Sequence, residues 1–168
     1  MTDPAPEPVT LRWVRDAGDL RAALALRLRV FCVEQGVPRE EEVDEYDDVA
    51  RHAVAAAPDG TVVGTMRLVS SGTVVKVGRV AVDRAWRGHG IASGLLDRAL
   101  DYARGIRAEE LRLAAQTAAV DLYRKAGYRT VGKPFHEAGI EHVWMVREVV
   151  PLRRPHRGER ASGGDHPA

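Results

Sequence analysis

The chain has 168 residues, enough for one domain with a real core. Hydrophobic residues make up 45% and charged residues 29%, and a net charge of +1 with only 5% aromatic residues argues against a nucleic-acid surface. Cys32 is the only cysteine, which excludes an intrachain disulfide and a cysteine metal cluster. No apolar run approaches the roughly 18 residues of a membrane span, and MTDPAPEPVT has no signal-peptide core, so a cytoplasmic protein is expected.

Residues 1–8, with three prolines and two acids, read as a disordered leader. Residues 9–15, VTLRWVR, read as a strand. Leu20, Ala23, Leu24, Arg27, Leu28 and Phe31 then recur at steps of three or four and predict a helix with one arginine on its apolar face. PREEEVDEYDD is acidic and loop-like, with room for one helical turn. HAVAAA, TVVGTMRLVSS and TVVKVGRVAV read as three strands, and the turn signals PDG and SGT predict that they pair antiparallel.

Ala92, Leu95, Leu96, Ala99 and Ala103 outline a second helix. LRLAAQ reads as a strand. TAAVDLYRKAG reads as a helix with Thr117 as N-cap, Gly127 as C′ residue and an Asp121–Lys125 pair. YRTVG and IEHVWMVREVV supply the closing strands. The order β-α-β-β-β-α-β-α-β-β predicts an α+β (mixed α/β) domain over residues 9–150, with helices packed on a sheet. Residues 151–168 read as a flexible polar tail, its arginines either solvated or touching an acidic partner.

The stretch AVDRAWRGHGIASGLL sets two glycines between a strand and a helix. The first turn of a helix leaves N–H groups without partners at the positive end of the dipole, and glycines let an anion approach the backbone closely. Arg87 adds a charge beside them. No lysine follows Gly88 or Gly90 as a Walker A loop requires, and GxGxxG is met only if Ser93 replaces the last glycine. On local features both a phosphate cradle and an ordinary turn remain open.

Arg87-Gly88-His89-Gly90-Ile91-Ala92 matches the R/Q-x-x-G-x-G/A acyl-CoA pyrophosphate motif. With the flanking GRVAVDRAWRG and AAQTAAVDLYRKAGYRTVG, residues 9–149 resemble a GNAT-superfamily N-acetyltransferase. RLRVFCVEQGVPREEEVDEYDDVARHAV and PFHEAGIEHVWM further resemble the ElaA-like branch. The resemblance implies a mostly antiparallel sheet with a splayed central strand and helices on both faces. It implies acetyl-CoA as cosubstrate, an amine acceptor and no metal, and a homodimer is left open; neither nucleic acid nor membrane is an expected partner.

By the same resemblance, residues 87–92 hold the pyrophosphate through backbone N–H groups, while Val80, Ala81 and Val82 flank the pantetheine arm. A backbone N–H near Val80 polarises the thioester carbonyl, and Tyr123 is the acid that protonates the leaving thiolate. Glu34 is the preferred base, with His52, His136 and His142 as alternatives and Gln35 beside them at the acceptor side.

Residues 40–48 carry seven of the chain's 24 acids, either a solvated loop or a rim that attracts a cationic amine. Cys32 reads as a buried bystander without an activating partner. An acetyltransferase is the leading reading. The alternative is a non-catalytic acyl-CoA sensor or protein-interaction module on the same fold.

Overall fold

The computed structural model describes residues 7–151. The leader expected over 1–8 and the tail expected over 151–168 lie outside the described residues, apart from the exposed residues 7, 8 and 151. The strands are β1 (Thr10–Trp13), β2 (Arg51–Ala56), β3 (Val62–Ser71), β4 (Val74–Val82), β5 (Glu110–Gln116), β6 (Arg129–Glu137) and β7 (Ile140–Glu148). The α-helices are α1 (Ala17–Arg27), the single turn α2 (Arg39–Glu42), α3 (Ile91–Gly105) and α4 (Val120–Lys125).

All seven strands form one sheet in the order β1-β2-β3-β4-β5-β7-β6. Neighbours are antiparallel except for β4 and β5, so the sheet is mixed and mostly antiparallel, as expected. The PDG and SGT turns do join β2, β3 and β4 as an antiparallel meander. β4 lies at the centre and leads into the glycine turn.

Successive strand residues point to opposite faces, and β2 shows what each face buries. Val54 packs with Ala23, Leu26 and Val30 beneath the first helix. Ala53 and Ala55 pack on the other side with Ile91, Leu95, Leu96 and Ala99 of α3. Helices therefore cover both faces, and HAVAAA is continuously apolar because neither face meets water. Gly64 of β3 allows α3 to sit close, since a Cβ there would come within 2.7 Å of Ile91 Cγ2 and 3.1 Å of Ala55 Cβ.

Three local expectations change. The first helix does not run regularly to Phe31: Leu28–Glu34 winds as a π-helix, a wider turn frequent at functional sites. Thr117 does not cap α4, which starts at Val120 without a side-chain cap; its hydroxyl instead bonds the Glu141 carbonyl (3.1 Å) and carboxylate (2.9 Å). Asp121 pairs with Arg124 at 3.5 Å rather than with Lys125. Gly127 does follow the last turn as expected, donating to the Arg124 carbonyl at 2.9 Å.

The acidic segment is neither a uniformly solvated loop nor a continuous rim. Glu42 and Asp47 are 3% and 5% exposed, although Glu40, Glu41, Glu45 and Asp48 face solvent. Arg27, 1% exposed, places Nε 2.6 Å from Glu42 Oε1 and Nη1 2.7 Å from Asp47 Oδ1. Arg67 of β3 pairs with Asp44 at 2.6 Å and with Asp47 at 3.1 Å. Burial opposes ionisation of Asp47, but bonds from Arg27, the Asp44 N–H and Arg67 win and hold its pKa at about 2.

Removing one partner from such a cluster strands a buried charge, so Arg27→Met should cost about 3–5 kcal/mol in denaturant unfolding. The Asp47 contribution has a defined pH window, because its folded pKa lies below its ordinary value of 3.8. It is fully present above the unfolded value and lost as pH falls toward about 2. Asp47→Asn should flatten the stability–pH curve in that interval, as read by urea midpoints at successive pH values.

Candidate active site

β4 and β5 are paired only over their first three residues, Val74–Lys76 with Glu110–Arg112. Beyond Lys76 the strands part, and no described strand fills the gap. The opening is a cavity of about 780 Å³, walled by Val77–Val82 on one side and by Leu113, Ala114 and Gln116 on the other. A wedge with unpaired strand edges accepts an extended ligand that has polar groups along its length.

One end of the wedge meets the glycine turn. Gly88 and Gly90 have φ of +80° and +76°, and nothing lies within 4 Å of where a Cβ would stand on either. Gly90 is the N-cap of α3, and no side chain caps that helix. The 15-residue helix thus presents its first N–H groups and positive end to an open cradle. Arg87 is anchored beside it by Nε donation to the Val82 carbonyl at 3.0 Å. The pattern suits a pyrophosphate, so these residues fit the cofactor expected from the sequence.

Val80, Ala81, Val82, Arg87, Gly88, Gly90, Ile91 and Ala92 all line the cavity. His89 is exposed on the same turn but is not part of the lining. Ile91 has its side chain in the core, which leaves its backbone for a ligand. Tyr123 of α4 lies on the β5 side of the cavity, with its ring 6.2 Å from Tyr128 in an edge-on arrangement. Burial pushes its phenol up to about 12, so the hydroxyl remains a proton donor.

The acceptor-side candidates separate. Gln35 and His142 line the cavity, and Gln35 accepts a bond from Gln116 at the end of β5, 2.7 Å long. His142 Nδ1 lies 2.7 Å from the Ile140 carbonyl. A carbonyl can only accept, so Nδ1 donates this bond and Nε2 is left without a partner in it. Its ring stacks on Phe135 at 5.8 Å.

His52 lies elsewhere: it is 6% exposed, with Nε2 2.9 Å from the Asp47 carbonyl, and burial lowers its pKa. It is a buried neutral brace for the acidic segment, because that segment folds back over β2. His136 is exposed on β6 and outside the lining. Glu34 is also outside it and is held by Arg87, with Nη2 2.8 Å from Oε2.

Cys32 is half-buried rather than buried, and burial together with Glu42 raises its thiol pKa, away from nucleophilic thiolate. Arg79, Glu42 and Arg67 line the floor of the cavity, and sequence reasoning did not assign them. The one available signal was Arg27 on the apolar stripe of the first helix, which announced a buried partner without identifying it.

Residues 19–149 match the sequence model of the Acetyltransferase (GNAT) domain, and the chain belongs to this family. It is 37% identical over 131 residues to the uncharacterized N-acetyltransferase YjcF of Bacillus subtilis (strain 168), covering 77% of this chain and 92% of the relative. Among solved structures it is similar to an acyl-CoA N-acyltransferase from Pseudomonas aeruginosa, with 31% identity, a TM-score of 0.75, and 83% and 99% of the two chains covered. Escherichia coli ElaA superposes with a TM-score of 0.75 at 27% identity, covering 84% of this chain and all of that one. The expected fold and family are thus both found.

Glu34 competes with any phosphate for Arg87. Glu34→Gln should therefore tighten CoA binding about two- to fivefold, the scale of an exposed ion pair, and Arg87→Ala should weaken it. Calorimetric titration with CoA measures both.

Proposed function

We propose that the protein transfers an acetyl group from acetyl-CoA to a primary amine by direct attack in a ternary complex. The observation that supports this most is the parting of β4 and β5, which joins the glycine cradle, the Val80–Val82 edge and Tyr123 in one cavity. When bound, acetyl-CoA supplies a thioester as the activated acyl group.

The chain's own residues carry the remaining tasks. Backbone N–H groups at the start of α3 and Arg87 hold the pyrophosphate, while the free edge of Val80–Val82 bonds the pantetheine amides. A backbone N–H at Val80 donates to the thioester carbonyl and stabilises the charge that develops on its oxygen. The Tyr123 hydroxyl donates its proton to the departing sulfur.

The amine arrives protonated and must lose a proton before attack. His142 suits this role better than Glu34, because its ring lines the cavity and is oriented by the Ile140 carbonyl, whereas the Glu34 carboxylate is tied to Arg87 outside the lining. Glu41, exposed and on the cavity wall, draws a cationic acceptor toward it.

Release of free thiol from acetyl-CoA across a panel of primary amines tests the reading. Binding of CoA without release for any amine would favour the sensor instead. Tyr123→Phe should lower kcat by about 10²-fold or more while leaving the Kd for acetyl-CoA unchanged. With its phenol at about 12, Tyr123 should impose no alkaline decline on kcat up to about pH 10. His142→Gln should lower kcat by more than about tenfold, and Glu34→Gln should leave kcat nearly unchanged; the reverse pattern would return the base role to Glu34.

A further inference from the structure

β4 does not pair evenly with β3. Arg67 faces Gly78 and Thr65 faces Ala81, so Arg79 and Val80 together stand opposite Met66. Two residues against one form a β-bulge, which turns the strand locally. Arg79 makes that turn with a φ of +53°, a conformation that a residue bearing a Cβ adopts only when its surroundings impose it. Among the described residues Arg107 and Ala138 also have positive φ, but they follow a helix and occupy a hairpin turn, whereas Arg79 lies within a strand.

The side-chain contacts of Arg79 are all on its guanidinium. Nε donates to the Glu42 carbonyl at 3.1 Å and lies 3.0 Å from Glu42 Oε2. Nη2 donates to the Glu41 carbonyl and to Asp44 Oδ2, each at 3.2 Å. Glu42 cannot yield, because it is 3% exposed and Arg27 grips its other oxygen. Both Arg79 and Val80 line the cavity.

We propose that Arg79 is a positioning residue: its guanidinium, clamped by Glu41, Glu42 and Asp44, holds the β4 bulge in the left-handed turn that sets the Val80 backbone at the cavity wall. This rests on the reading of Val80 as the thioester's hydrogen-bond donor, and it gives the buried acidic segment a part in the reaction. The segment sets the shape of the strand against which the acyl group is held.

Two substitutions separate backbone shape from loss of ion pairs. Arg79→Ala and Arg79→Gly lose the same guanidinium contacts, but glycine adopts positive φ without a Cβ penalty. Amide hydrogen exchange in the full chain, without donor or acceptor, should be about tenfold faster at residues 79–81 in Arg79→Ala, beyond any change at in-register Val75. Arg79→Gly should recover about fivefold of that difference.

Equal acceleration at Val75 and at residues 79–81, or identical behaviour of the two variants, would overturn the proposal. If Arg79→Ala does not fold, Asp44→Asn removes one clamp and the same comparison with Val75 decides. In the acetyl-transfer assay kcat should follow the same order, with the KM for acetyl-CoA within about twofold. An exchange effect with unchanged kcat would sustain the clamp and refute the role assigned to Val80.

Discussion

The buried guanidinium of Arg27 is the constraint on which the acceptor half of this molecule depends. It arises from the last turn of the first helix and reaches both Glu42 and Asp47, which belong to a segment with almost no regular structure of its own. α2 is one turn, Glu45–Asp48 is a short 3-10 turn, and neither could hold its position by helix propensity. Arg67 and Arg79 extend the cluster to β3 and β4. A helix, an irregular segment and two central strands are thereby locked into one arrangement by charge. Buried ion pairs are often no more stabilising than apolar packing of the same volume; what this cluster supplies is direction, since each carboxylate oxygen admits few donor positions.

The donor half rests on a different principle. β4 and β5 begin as parallel partners and then diverge, so the sheet gives up ladder hydrogen bonds at its centre. Unpaired backbone groups there are costly unless something bonds them. On the proposed function, an extended ligand carrying amides supplies that partner along the strand edge, and the open N-terminus of α3 offers a complementary charge for its phosphates. Both halves meet at the Arg79–Val80 bulge, where the charged cluster bends the strand that faces the cleft.

Much of the donor half was legible in the residues because its determinants are local. A strand, two glycines with Arg87 and an amphipathic helix are contiguous, and the need for positive φ at Gly88 and Gly90 is written in their residue type. That Tyr123 lines the cavity was legible only through its surrounding motif, since a tyrosine beside Leu122 is equally a core residue. The acceptor half was read less well. Along the chain Glu34 was preferred as base over His52, His136 and His142, but the fold sends His52 into the core beside Asp47, His136 to the surface, Glu34 to Arg87 and His142 to the cavity.

The sequence by itself determined the element order, the antiparallel meander, the amphipathic faces and the glycine turn between β4 and α3, because periodicity and turn chemistry act over a few residues. Tertiary structure alone decided which acids of EEEVDEYDD are buried, since an acid becomes a core residue only when a guanidinium from a distant helix or strand reaches it. It also decided that the first helix widens into a π-turn before Gln35, and that Arg79 carries the bulge. Those outcomes depend on contacts between residues separated by tens of positions, such as Arg27 with Asp47 and Arg79 with Glu42. No local pattern encodes them.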